Sequence, residues 1–267
     1  MTEVYRIAIW QGPSPAGDMA RAFAALGQAM RAAAAMGAKA LVAPEVYVPG
    51  YNHSDLAGLA EVRGGPLHQK LSAMAMAAGC GVVVGYAERD GGLLYNSAVA
   101  FGADGAELAH YRKVQLYGPR EKAIYAPGAA YATFTMAGKK MALLICYDIE
   151  FAPHVAALAA QGVEVILCPT ANMVPFTHVA KVTVPAMAAN YGLTIAYANY
   201  CGVDGDLTYV GLSLVADPYG EVLVQAGSGP ALLVADLPDR LDPARLSTQG
   251  LDSRLRNRRF GLPVTPR

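Results

Sequence analysis

Lys140-Met-Ala-Leu-Leu-Ile-Cys-Tyr-Asp148 is an apolar run that stops at a thiol. Ahead of it Tyr131–Met136 reads as a strand, joined to Lys140–Ile145 across Ala137-Gly138-Lys139 as a hairpin. Behind it a helix around His154–Ala160 leads to the strand Val163–Cys168. A hairpin on one side and a helical crossover on the other describe a mixed sheet covered by helices. The chain's opening agrees. Val4–Trp10 reads as a strand. Ala16–Met36 reads as a helix, with Met19, Phe23, Leu26 and Met30 at helical spacing and Gly37 as its stop. Ala40–Ala43 completes a β-α-β unit. Leu67–Ala78 reads as a helix and Val82–Tyr86 as a strand. Tyr95–Gly102 and Glu107–Tyr111 read as a hairpin across Ala103-Asp104-Gly105. Further on, Val179–Asn190 reads as a helix despite Pro185, and Leu193–Ala198, Tyr209–Ala216, Glu221–Gln225 and Ala231–Asp236 as strands. No repeat, Gly/Ser-rich linker or charge block divides the chain, so one domain over residues 1–267 is expected. Residues 251–267 form a tail containing Arg254, Arg256, Arg258 and Arg259.

Hydrophobic residues make up 54% of the 267 and charged residues 16%, against about 25% in a typical globular chain. That excludes general disorder. It also points to some surface covered in an oligomer. Lys plus Arg equals Asp plus Glu at 21 each, so no cationic surplus exists for a phosphate backbone, and no nucleic-acid partner is expected. The N-terminus lacks a basic segment followed by an apolar one. The longest stretch without charged residues, Val182–Val203, is broken by Pro185, Gly192 and Gly202. No membrane span is expected, and the expected location is the cytoplasm.

The four cysteines make no Cys-x-x-Cys pair and no zinc-type spacing with histidine, so no metal site is expected. Cys146 sits at a strand's C-terminal end on the turn into a helix. Ligands collect there in open α/β sheets, and backbone N–H groups at such a turn favour thiolate and can hold an oxyanion. It reads as a nucleophile or as a buried thiol. Cys80 lies between two glycines, Cys168 precedes Pro169, and Cys201 falls in a loop. These three read as small buried hydrophobes. None of the five histidines sits in a Cys/His signature, and His154 is expected to be exposed. Glu45 lies between Leu41-Val-Ala-Pro44 and Val46-Tyr-Val-Pro-Gly-Tyr51, so it reads as a part-buried carboxylate with a raised pKa, suited to act as a base. Lys113 closes another strand, with Glu121 eight residues on. They read as a buried cation with its carboxylate, or as a surface cation and a loop charge.

Three segments in this order, Pro44–Tyr51, Tyr111–Gly128 and Leu144–Phe151, resemble the nitrilase superfamily of carbon–nitrogen hydrolases. Pro169-Thr-Ala171, Ala198-Asn199 and Asp217-Pro-Tyr-Gly220 are weaker echoes. The resemblance implies an α/β fold, a four-layer αββα sandwich of two mixed β-sheets flanked by helices. It implies a catalytic tetrad of Glu45, Lys113, Glu121 and Cys146, with no metal and no organic cofactor. It implies a homodimer or higher homo-oligomer, with the tail at 251–267 docked at the dimer interface. Cys146-Tyr-Asp-Ile-Glu-Phe151 with Gln115–Lys122 is most similar to bacterial aliphatic amidases, including those acting on ω-amino amides.

That branch implies hydrolysis of a small carboxamide through a cysteine thioester, with the Tyr147 N–H in the oxyanion hole. Tyr51, Tyr117, Tyr147, Asn172 and Met173 are the expected pocket residues. Asp148 and Glu150 are the acidic candidates for a substrate amine. The other readings are an ω-amidase of dicarboxylate monoamides, an N-carbamoyl hydrolase, and a non-catalytic binding protein on the same fold. One departure stands out. Many relatives carry a Glu and an Arg three residues apart after Phe-Pro, and here His154 and Ala156 occupy that region. Such residues pair on one helix face, so a surface ion pair near the site entrance is expected to be missing.

Overall fold

Residues 5–252 are described in the structure, a computed structural model. The chain opens with β1 (Arg6–Gln11), α1 (Met19–Ala35) and β2 (Ala40–Val42). Strand alternation sends Ile7 and Ile9 into the core between the sheets, while Ala8 joins Leu26 and Met30 of α1. Helix α1 starts later than the Ala-rich run predicts. Ala16 and Gly17 have positive φ (51° and 86°), and the Asp18 carboxylate caps the helix by accepting the Arg21 N–H at 2.9 Å.

Next come α2 (Leu56–Leu59), α3 (Pro66–Ala78), β3 (Gly81–Asp90), β4 (Leu93–Phe101) and β5 (Glu107–Arg112). Strand β3 runs past Tyr86 because it forms a long hairpin with β4, closed at Gly91-Gly92. After α4 (Gly118–Ile124), β6 (Ala132–Met136) and β7 (Lys139–Leu143) pair across two residues, Ala137 and Gly138, both at positive φ (46° and 83°). Lys139 therefore belongs to the strand and not to the turn.

Helix α5 (Ala152–Ala159) leads to β8 (Val165–Pro169). The expected helix over 179–190 divides. Val179–Thr183 winds as a π-helical turn, and α6 (Val184–Tyr191) follows with Pro185 in its first turn, where a missing N–H costs little. The expected strand over 209–216 divides as well. After β9 (Thr194–Ala198), β10 (Cys201–Asp204) and β11 (Leu207–Val210) form a separate hairpin, and β12 (Leu214–Ala216) resumes beyond Gly211 and Leu212, both at positive φ. Cys201 thus begins a strand and is buried, rather than lying in a loop. The described chain ends with β13 (Val222–Gln225), β14 (Ala231–Asp236) and α7 (Gln249–Asp252).

Two six-stranded sheets result, ordered β14-β1-β2-β3-β4-β5 and β13-β12-β9-β8-β7-β6. Each has three parallel strands, β1-β2-β3 and β7-β8-β9, extended by antiparallel ones. Strands β8 and β9 are buried on both faces, which is why they read as continuous apolar runs. Ile7, Ile9 and Val83 meet Met141, Leu143 and Leu167 between the sheets. Leu26, Met30 and Leu71 of α1 and α3 cover the first sheet's outer face. Val155, Leu158, Val184 and Ala188 of α5 and α6 cover the second. The layering is αββα, as the resemblance implied. No described helix is long and apolar enough to cross a membrane. The tail at 251–267, expected at a dimer interface, falls almost wholly outside the described residues, and Arg254, Arg256, Arg258 and Arg259 all lie beyond them.

Candidate active site

Three strand ends converge. Glu45 follows β2, Lys113 follows β5, and Cys146 follows β7 by way of Leu144-Ile145. The first two come from one sheet and the thiol from the other. The Glu45 N–H donates to the Thr170 carbonyl beyond β8 at 3.3 Å, tying the two sheets together at this point. Glu45 and Lys113 are 0% and 1% exposed, and Glu121, on the first turn of α4, is 2% exposed. Lys113 Nζ donates to Glu45 Oε1 at 2.6 Å and to Glu121 Oε1 at 2.8 Å. Glu121 is fixed in turn by the Tyr51 hydroxyl at 2.7 Å and by the Tyr117 N–H at 2.8 Å. Asn96 Nδ2 gives Glu45 Oε1 a second bond at 2.7 Å. Glu45 Oε2 has no hydrogen-bond partner among the described residues.

The electrostatics follow from this burial. Desolvation pushes Glu45 up to about 7, against the opposing pull of Lys113. Burial works against the Lys113 charge, but Glu45 and Glu121 outweigh it and keep the ammonium protonated. Burial and the Glu45 charge raise the Cys146 thiol well above its usual range, while Lys113, the Thr170 hydroxyl and the Ala171 N–H pull the other way. A protonated thiol needs a base, and the free oxygen of Glu45 is the group with capacity to spare.

Cys146 has φ of +46°, and Val46, next to Glu45, has +43°. Residues other than glycine seldom hold this conformation, and two of the five that do in the described chain sit at this site. Asp148 anchors the thiol's turn. Its carboxylate accepts the Ile145 N–H at 3.0 Å, the Gln115 N–H at 2.7 Å and the Tyr111 hydroxyl at 2.8 Å. It is fully buried and absent from the pocket wall, so it is not the amine-binding group that proximity suggested. His154 is buried, against the expected exposure, with contacts to the Tyr131 hydroxyl at 2.6 Å and the Gln115 side chain at 3.0 Å.

Cys146 opens on a cavity of about 220 Å³. All five expected pocket residues line it: Tyr51, Tyr117, Tyr147, Asn172 and Met173. Glu150 lines it too, with Phe176 and His178, which sequence reasoning missed. Only their place shortly after Pro169 and Asn172 could have signalled them. The Asn172 side chain donates to the Phe176 carbonyl at 2.9 Å, so its amide shapes the wall. Arg120, a cation near the site in sequence, turns away to Asn52 and the His53 carbonyl.

Comparison with known proteins gives the same picture. A Pseudomonas protegens hydrolase is 38% identical over 240 residues, covering 88% of this chain and 84% of that one. An (R)-stereoselective amidase from a Pseudomonas species is 36% identical over 208 residues, covering 77% and 75%. A solved structure of a Nesterenkonia amidase superposes with a TM-score of 0.85 at 34% identity, covering 94% of this chain and 96% of that one. It is a Glu-to-Gln variant that carries acrylamide added to its active-site cysteine. The family model for carbon–nitrogen hydrolases matches residues 6–246, and with the fold and the Glu-Lys-Glu-Cys cluster in agreement, the chain belongs to that family.

Proposed function

We propose that the protein is an amidase that converts small linear carboxamides to the carboxylate and ammonia through a thioester on Cys146. The observation that carries this reading is the state of Glu45, a buried carboxylate with one oxygen committed to Lys113 and Asn96 and the other unpartnered, beside a cavity that Cys146 lines. Sγ attacks the amide carbon as its proton passes to Glu45 Oε2. The developing oxyanion is held by the Lys113 ammonium and the Tyr147 N–H. The C–N bond breaks as Glu45 returns the proton to nitrogen, and ammonia leaves. Water then attacks the thioester, giving a proton to Glu45, which passes it to the departing sulfur. Glu121 touches no reacting atom in this scheme and holds Lys113 in place.

The cavity's size and aromatic walls suit a short acyl chain. No Lys or Arg is among its described lining residues, and Glu150 is, so neutral and ω-amino chains fit better than the anionic chains of dicarboxylate monoamides or N-carbamoyl amino acids. A non-catalytic binding protein would have little reason to keep a buried cation between two carboxylates, since such sets are costly to desolvate. The reading includes one carbon–nitrogen hydrolase domain, a cytoplasmic location and a homodimer. The low charge fraction of 16% supports the last of these.

The test is ammonia release from short aliphatic amides, ω-amino amides, dicarboxylate monoamides, N-carbamoyl amino acids and a nitrile, with Cys146→Ala as control. Release from the first two classes that vanishes in the variant is the expected result. Release that survives Cys146→Ala, or none from a folded wild type, overturns the reading.

A further inference from the structure

Asn96 lies in β4, within Tyr95-Asn-Ser-Ala-Val-Ala-Phe101, and is fully buried. It touches both partners of the central ion pair. Its side-chain N–H donates to Glu45 Oε1 at 2.7 Å, and its backbone carbonyl accepts the Lys113 N–H at 2.8 Å. Its own Oδ1 has no hydrogen-bond partner among the described residues. A buried unsatisfied oxygen costs about 1–3 kcal/mol, so a residue that merely filled this strand would serve better without it.

The geometry of the carboxylate gives Asn96 its role. Each carboxylate oxygen offers about two lone-pair directions. Lys113 and Asn96 together fill both on Oε1. The torsion that carries the carboxyl group is broad and two-fold. An ammonium is a point charge with rotatable donors and discriminates poorly between orientations. With Lys113 alone, the two oxygens could exchange places. A planar amide held by a strand does not swing with them.

We infer that Asn96 is a positioning residue for amide hydrolysis, pinning Oε1 of Glu45 beside Lys113 so that Oε2 alone exchanges protons with Cys146 and the leaving nitrogen. This rests on the amidase reading above. Other titratable groups interact electrostatically with the Glu45 carboxyl besides Lys113 and Cys146: Glu121 from α4, Cys168 from β8, Tyr51, Tyr125, Tyr209, and Tyr200, whose hydroxyl donates to the Glu45 backbone carbonyl at 2.8 Å. None of these is altered in the test.

The experiment compares wild type, Asn96→Leu and Asn96→Asp. Both variants keep the side chain's approximate shape. Leu removes the donor, and Asp removes it and adds a charge. Circular dichroism and Tm establish folding, and kcat and KM are read against pH. The expected result is a kcat lower by about tenfold to a hundredfold at neutral pH, with KM changed by less than about threefold. Losing a donor to the ionised form raises a carboxylate's pKa, so the acid limb of kcat/KM moves to higher pH in Leu and further in Asp. Packing loss alone would not produce that order. A folded Asn96→Leu or Asn96→Asp with its acid limb unmoved overturns the inference, whatever its rate.

Acrylamide alkylation of Cys146 supplies a second reading. Sγ bonds to one alkene carbon as the C=C bond opens and a proton goes to the other, and because the Glu45 charge bears on the ionisation of the thiol, the rate against pH reports on that carboxyl without turnover. If wild type releases no ammonia from any amide, the amidase reading fails by itself. The pH order of the alkylation rates then decides for or against Asn96.

Discussion

Glu88 in β3 and Glu45 just after β2 are both fully buried, and residues adjacent in sequence serve them. Ser97 and Arg112 bond to Glu88, while Asn96 and Lys113 bond to Glu45. Neighbouring strand residues face opposite sides of a sheet, so β4 and the end of β5 supply one carboxylate cluster on each side. The outcomes diverge. Glu88 receives Arg112 on both oxygens, with His110 at 2.8 Å and Ser97 at 2.5 Å on Oε2. Burial raises its pKa, but these bonds outweigh it and leave the group at about 2. Glu45 has donors on one oxygen only and stands at about 7. Burial weighs on both and more on Glu45, which the Glu121 charge also raises. The supply of hydrogen bonds and cations then sets Glu88, a strut, apart from the proposed base.

The widest separation comes from removing each charge. Glu45→Gln is expected to lower kcat by about 10²–10⁴, the usual worth of a positioned general base, with Tm held within a few degrees. Glu88→Gln leaves Arg112, which is partly exposed and keeps Asp90 at 2.7 Å, without its buried partner and is expected to destabilise by about 1–3 kcal/mol, with kcat of the folded fraction unchanged. Thermal melts and ammonia release on both variants check the pair. An active Glu45→Gln, or a Glu88→Gln that melts like wild type, would break the contrast.

Lys113→Met should touch both quantities. It removes the proposed oxyanion donor, worth about 10²–10³ in kcat. It also leaves Glu45 and Glu121 facing each other without their cation, so Tm should fall too. A variant that lost activity at wild-type Tm would mean that the buried carboxylates protonate without strain when the lysine is gone.

Only the Glu45 side of this contrast was legible in the chain. The hairpin across Ala137-Gly138-Lys139 and the Cys-Tyr-Asp turn placed the second sheet and the thiol, and Glu45 in an apolar run was already a base in search of a partner. Asn96 was not legible, because a lone Asn in a strand carries no periodic signal and its partner is 51 residues away in sequence. Asp148 was misread because closeness to the nucleophile says nothing about direction, and its carboxylate points back into the turn. The split of 209–216 was hidden because Gly211-Leu212 interrupts an apolar run without a polar break. Leu212 at positive φ is a cost that only tertiary pairing justifies.

The two carboxylates also carry opposite pH signatures. Glu88 is lowered on folding, so its stabilisation is present above the unfolded pKa near 4.5 and disappears as pH falls through about 2. Glu45 is raised, so its contribution is full below about 4.5 and disappears as pH rises through about 7. Stability against pH should therefore lose its acid-side slope in Glu88→Gln, and its slope between about 4.5 and 7 in Glu45→Gln. Activity runs opposite to stability over the second window, because the base must be ionised to accept the thiol proton. The acid limb of kcat/KM should fall near 7 in wild type. Urea unfolding at a series of pH values, beside the rate profile, checks the signs.

Glu150 extends the comparison to a third carboxylate and the smallest effect. It is half-buried in the cavity wall, and among the described residues its side chain makes no hydrogen bond. Burial raises its pKa, with His178 and Lys113 opposing. Water reaches it, so its field is screened and its worth to a bound charge is about 0.5–1 kcal/mol. Glu150→Gln should lower kcat/KM for an ω-amino amide by about threefold to fivefold and raise it for a dicarboxylate monoamide, with butyramide unchanged. The change should fall on KM, because a charge on the far end of the acyl chain is the same in ground and transition states. In the proposed mechanism Glu45 acts on the reacting atoms in a dry site and so moves kcat. If Glu150→Gln lowered kcat for butyramide as well, the residue would be acting on the Cys146–Glu150 turn, and the cavity would owe its charge preference to something other than this carboxylate.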